Sequence, residues 1–300
     1  MRLLPRFPSK TRGFHSRRPL QPVLAPAPVG VFDGAMSTDA SWLASMPARY
    51  DSCLGPALFS PYAEHVAGLV RGWAPSRVLE VAAGTGIGTR ALVAALPDAH
   101  LDATDLNAAM VEWGAAHVPG ASWRAADAQE LDVEPGSYDL VVCQFGAMFF
   151  PDRPGAYAQM AAALAPGGRV VLTVWDTVDG SDLTAAVVAC LDEALPDDPP
   201  TFIARVPHGY GDPDRITADL VAGGLVDVEV ERVVLRGAPT VPAVFAEGLC
   251  LGTPLRFELQ QRGEPAELAR DLARRMSERL GSEPVAGALA AFVVTARSPG

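Results

Sequence analysis

Six residues have the types and spacing to do chemistry: Glu80, Gly84, Gly86, Gly88, Asp105 and Asp127. Three are carboxylates and three are glycines, and the glycines stand at every second position behind Glu80, as E-x-x-x-G-x-G-x-G. Glycines let a backbone turn sharply and let a ligand approach it closely. A helix starting behind them would offer unpaired N–H groups and a partial positive charge. Asp105 follows Gly84 by 21 residues, where a carboxylate, an acceptor-only group, can take two ribose hydroxyls at once. The chemistry on offer is the holding of a nucleoside-type ligand. The dinucleotide pattern G-x-G-x-x-G is broken, because the third glycine would fall on Thr89. Asp105 also has a plainer reading as a helix N-cap.

These residues need elements to hold them. Arg77–Val81 (RVLEV) reads as a buried strand, the glycines as a tight turn, and Thr89 to Leu96 as a helix. His100–Asp105 (HLDATD) is a second short strand ending in its acid. Trp123–Asp127 (WRAAD) reads as a third and Tyr138–Cys143 (YDLVVC) as a fourth, followed by Gln144, Phe145 and Gly146. A helix, a Pro166-Gly167-Gly168 turn and a fifth strand come next.

Taken together, these motifs resemble class I S-adenosylmethionine-dependent methyltransferases, specifically the small-molecule branch similar to ubiquinone/menaquinone C-methyltransferases. The resemblance covers roughly residues 46–178. It implies a doubly wound, Rossmann-like α/β fold with a seven-stranded, mostly parallel sheet, an antiparallel last strand beside the fifth, and helical lid elements. It implies binding of S-adenosylmethionine and of its product, S-adenosylhomocysteine. On the family pattern, Glu80, Ala82, Gly84, Thr85 and Gly86 form the first cofactor motif. Asp105 holds the ribose, with Leu106 and Met110 near the adenine. The Asp127-Ala128 pair contacts the adenine amino group, and Gln144 closes the site after the fourth strand. The run Phe145-Gly146-Ala147-Met148-Phe149-Phe150 departs from the quinone enzymes, which carry Leu-Arg-Asn after Phe-Gly. Quinone biosynthesis itself is therefore not implied.

Composition bounds the partners. The 300 residues carry 24 Lys+Arg against 35 Asp+Glu, a net charge of −11. Such a surface repels nucleic-acid phosphates and anionic lipid. Cys53, Cys143, Cys190 and Cys250 lie far apart and form no C-x-x-C pair. That fits buried thiols in a reducing, cytoplasmic setting, and no metal site is expected. No apolar run reaches membrane-spanning length.

Residues 1–35 hold six basic residues, one acid and the chain's sole lysine, Lys10. They read as a disordered tail or an extension upstream of a start at Met36, with the methyltransferase domain expected over 36–300. Within it, 36–74 are leading helices broken near Gly55-Pro56, 75–178 the cofactor core, and 179–300 a C-terminal half. A helix is expected over Asp182–Leu195, an irregular loop over Thr201–Asp212, and a helix over Pro213–Ala222. A sixth strand is expected over Val226–Val234, two helical stretches over Thr240–Leu280, and a last strand over Ala288–Ala296. Residues of about 196–212 and 240–282 would form a lid.

Catalysis from an activated methyl donor needs alignment and exclusion of water, and a base only where the acceptor must lose a proton. The candidates for touching the acceptor are Tyr50, in the leading helices, and His208 and Tyr210, in the 196–212 loop. Phe202, Phe245 and Phe257 suggest a small apolar or aromatic substrate. His65 reads as a surface or satisfied core histidine. A competing reading keeps the fold and the cofactor without turnover, as a binding or regulatory module.

Overall fold

The computed structural model describes residues 40–300, with side chains from Ser45 onward. The expected extension over 1–35 lies outside the described residues. Seven strands form one sheet: β1 (Arg77–Val81), β2 (His100–Asp105), β3 (Ser122–Ala125), β4 (Tyr138–Gln144), β5 (Leu164–Trp175), β6 (Val226–Arg236) and β7 (Ala288–Arg297). Their order is β3-β2-β1-β4-β5-β7-β6. β1 pairs in parallel with both β2 and β4, and β7 lies antiparallel between β5 and β6. This is the expected arrangement.

The central strands are apolar because both faces are covered: Val78, Leu79, Val141 and Val142 have no exposure. Parallel neighbours need crossovers, supplied by helices over Ile87–Ala95, Ala108–His117 and Arg153–Ala163. The strand order runs one way from β1 to β3 and the other from β4 to β5. Right-handed crossovers then place the helices on opposite faces, and a crevice opens at the carboxyl ends of β1 and β4. Short side chains cap the elements beside it. Asn107 accepts from Ala109 N at 3.0 Å, and Asp152 accepts from Gly155 N at 3.0 Å.

Four expectations need correction. The helix behind the glycine turn starts at Ile87, because Gly86, at φ +87°, completes the turn itself. The leading segment does not break at Gly55-Pro56. It runs as an α-helix over Ala40–Arg49, a π-helix over Tyr50–Phe59 and an α-helix over Ser60–Arg71. Pro56 has no N–H to give, its carbonyl accepts from Ala238 N at 3.1 Å, and the widened turn bonds Ser60 N to Gly55 O. The region between β6 and β7 holds three helices, not two: Pro242–Gly252, Leu255–Gln260 and Pro265–Leu280, divided where Pro254 and Pro265 fall. The 201–212 stretch is not an irregular lid loop. It contains a short helix, Phe202–Arg205, and His208 and Tyr210 are buried.

Candidate functional site

A cavity of about 440 Å³ opens at the carboxyl ends of β1, β2 and β4. Its floor is the glycine turn. Ala82, at φ +55°, Gly84, at φ +58°, and Gly86, at φ +87°, are all left-handed, and all but Gly86 line the cavity. At Gly86 a Cβ would press on Val118 and Trp123, so the position needs glycine for both conformation and space. Backbone held in this region without glycine, as at Ala82, is strained, and such strain clusters at ligand sites.

Glu80 comes to the cavity from the end of β1. It is 1% exposed, and Thr89 Oγ1 donates to its Oε2 at 2.6 Å. Burial, with Asp105 nearby, pushes its carboxyl up from the usual 4.5 to about 7. Gln144 reaches the same place from the end of β4. A Cβ on Gly88 would strike both Glu80 Oε1 and Gln144 Nε2, so glycine there leaves the two side chains their room. Both polar atoms of the Gln144 amide are buried without a partner, as is Thr85 Oγ1. Unpaired buried donors and acceptors at a cavity wall call for a ligand or ordered water. These observations fit the amino-acid end of S-adenosylmethionine, with its ammonium and carboxylate.

Asp105 is tied on both oxygens. Oδ2 accepts from Gly84 N at 2.8 Å and Oδ1 from Asn107 N at 2.8 Å. Burial raises its pKa, and the two N–H donors pull it back. The cap of the following helix is Asn107, so the plainer reading of Asp105 gives way. A carboxylate has about four lone-pair sites, which leaves acceptors for a ribose facing the cavity. Leu106, 71% exposed, forms the rim with Met110 beside it. β3 ends two residues earlier than expected, and Asp127 sits in the next turn, where its Oδ1 accepts from Gln129 N at 2.8 Å. Ala128 lies next to it on the wall.

Residues 78–168 match a family model described as methyltransferase domain. Over these residues the chain is similar to methyltransferase domains. A malonyl-acyl-carrier-protein O-methyltransferase of Hahella chejuensis is 30% identical over 147 residues, 44% of this chain and 52% of its own. A nocamycin O-methyltransferase of Saccharothrix syringae is 28% identical over 186 residues, 59% of this chain and 66% of its own. These matches span about half to two thirds of the relatives' lengths. Among solved structures, phosphoethanolamine N-methyltransferase 2 of Haemonchus contortus, in complex with S-adenosylhomocysteine and phosphomonomethylethanolamine, superposes with a TM-score of 0.55. It shares 19% identity over 86% of this chain and 58% of its own, a likeness in fold.

The other half of the cavity comes from outside the methyltransferase motifs. Met46 and Tyr50 reach it from the leading helices, and Phe59 stacks on Tyr50 with ring centroids 4.9 Å apart. Phe145, Phe149 and Phe150 come from the segment after β4, and Gly252 and Pro254 from between β6 and β7. Only the second of the two expected lid regions therefore contributes. Phe145 is left-handed, at φ +56°, and stacks on Trp175 at 3.8 Å. Burial, and then the charge of Asp105, raises the Tyr50 hydroxyl pKa, so Tyr50 is a donor and not a base at neutral pH.

His208 and Tyr210 do not line the cavity. Tyr210 has no exposure; its hydroxyl donates to Asp219 Oδ2 at 2.8 Å and receives the Tyr157 hydroxyl at 3.3 Å. Its polarity is spent inside the core. His208 is 9% exposed, holds Asp176 O at 2.6 Å and stacks on Trp175 at 6.1 Å, one ring behind Phe145. Burial lowers its pKa. Phe202 and Phe245 are buried, and Phe257 packs on Met46 and Met110; none of the three faces the cavity. His65 is exposed on its helix. The four cysteines are free, with Cys143, Cys190 and Cys250 buried. Among the described residues there is no cluster able to hold a metal, and no helix is long and apolar enough to cross a membrane. Phe59, Phe145, Phe149 and Phe150 are the aromatic wall residues that sequence reasoning missed, with Met46, Gly252 and Pro254 beside them. Nothing in their spacing marks them, since core aromatics read alike.

Proposed function

We propose that this protein transfers a methyl group from S-adenosylmethionine to a small apolar or aromatic acceptor. The observation that carries the reading is a single cavity with two unlike ends. Buried acids and an unpaired amide stand at the glycine turn, and aromatic rings form the opposite wall. Bound S-adenosylmethionine supplies a methyl on a sulfonium, already activated for transfer. Asp105 holds the ribose, Asp127 and Ala128 face the adenine, and Glu80 with Gln144 holds the amino-acid end. The aromatic wall excludes water and orients the acceptor. The cavity offers Tyr50 as a hydrogen-bond donor, and Glu80 stays bound to Thr89. Positioning, with no dedicated base, is then the chain's contribution.

Calorimetry tests the donor. S-adenosylmethionine and S-adenosylhomocysteine are expected to bind in the micromolar range and NADH not to bind; the reverse order would end the proposal. A labelled-methyl assay against a metabolite panel then tests transfer.

A further inference from the structure

We propose that the acceptor end of this cavity selects uncharged aromatic molecules and rejects anionic ones. The inference rests on the methyl-transfer reading and narrows its substrate class. Among the described residues, no arginine, lysine or histidine lines the cavity. Its charged residues are Glu80, Asp105 and Asp127, all acids. Nearby guanidiniums are engaged elsewhere: Arg49, beside Tyr50, pairs with Glu247 at 3.7 Å. Arg90 pairs with Asp51 at 2.7 Å. Arg153 donates to the carbonyls of Ala147 and Met148, at 3.1 and 2.9 Å, and lies 4.1 Å over the Tyr210 ring. It braces the backbone behind the wall and presents no charge to the cavity.

The aromatic wall points the same way. Ring faces carry partial negative charge and attract cations or ring edges, not anions. A carboxylate or phosphate entering between Phe149, Phe59 and Tyr50 would lose its hydration, meet no counter-charge and face Asp105 beyond. An uncharged ring loses little hydration and gains stacking contact. Tyr50 is the wall's phenol among the described residues, and its protonated hydroxyl can donate to an acceptor oxygen or nitrogen.

Two probes with the same ring system separate the cases: 2-naphthol and 2-naphthoate, titrated at pH 7.5 by calorimetry into the full chain loaded with S-adenosylhomocysteine. Naphthol is expected to bind at least about tenfold more tightly than naphthoate. Phe149→Arg, which places a guanidinium in the wall, is expected to raise naphthoate affinity by about tenfold and narrow or reverse the preference. Equal or tighter binding of naphthoate by the unaltered chain overturns the proposal. So does failure of both probes on a chain that binds S-adenosylhomocysteine. A chain that does not bind S-adenosylhomocysteine removes the methyl-transfer reading instead, and this inference falls with it. Should Phe149→Arg not fold, Phe150→Arg makes the same test from the neighbouring wall residue.

Discussion

The two ends of the cavity are built by different rules. At the donor end, the contacts run between residues close in sequence or on adjacent strands. Gly84 N meets Asp105, and Thr89 meets Glu80 nine residues away. Polar groups and glycines do the work, and each has a defined bond or a defined lack of one. At the acceptor end, rings arrive from 50–59 and 145–150, joined by Met46, Gly252 and Pro254, and they touch through packing alone. Directional bonds fix residue type and spacing. Packing needs only volume and shape, which many residues supply. The donor end is therefore intolerant and legible, and the acceptor end is free to vary.

The sharpest way to break that contrast is Asp105→Ala. Loss of two charge-assisted ribose bonds, at about 1.5 kcal/mol or more each, should weaken S-adenosylmethionine binding by about a hundredfold. Calorimetry on the folded mutant measures it, and unchanged affinity would leave Asp105 as a brace for Gly84 and Asn107 alone.

Glu80 gives an effect of similar size on stability. Its carboxyl is raised from 4.5 to about 7 in the folded chain, so the folded state keeps a proton that the unfolded chain releases in between. Stability should be insensitive to this group below the unfolded value and should fall as pH rises towards 7, by about 3 kcal/mol at most. Denaturant unfolding across that window, compared between the parent and Glu80→Gln, checks it: the variant should lack this part of the slope.

Gly88→Ala should be next. The added carbon presses on Glu80 and Gln144, which must shift from their places at the cavity wall. Overpacking costs about 1–3 kcal/mol, which here should appear as a roughly tenfold loss of donor affinity.

The acceptor end should answer in another measurement. Phe149→Ala is expected to raise acceptor KM by about tenfold, the worth of about 1.4 kcal/mol of lost ring contact, while donor Kd stays within about twofold. A parallel loss of donor affinity would show that the two ends are one site energetically.

The smallest effect is expected from His208→Phe. His208 acts through Trp175, so its loss should alter the near-UV circular dichroism of the stacked rings and change acceptor KM by only about threefold, less than 1 kcal/mol. A loss of turnover of a thousandfold or more, with KM unchanged, would restore His208 as a participant in the chemistry.

The amino-acid sequence by itself determined the strands and the glycine turn, and it singled out the residues proposed for the donor end. Each is marked by a local rule: apolar runs for buried strands, glycine for left-handed turns, an acid at a strand tip. Glu80, Gly84 and Asp105 could be named in advance from local pattern, because their partners are near in sequence or one parallel strand away, while Thr85, Asp127 and Gln144 were implied by the family resemblance; all six line the cavity. Only the tertiary structure decided which aromatics face the cavity. Phe145, Phe149, Phe202 and Phe245 are alike as letters, yet the first two line the wall and the last two are buried away from it. The same holds for Tyr210, whose hydroxyl is consumed by Asp219 and Tyr157, 9 and 53 residues away, and for His208, turned to the backbone of Asp176, 32 residues away. Whether a polar side chain is free to act depends on partners brought near by folding, and long-range partnership leaves no local pattern in the chain.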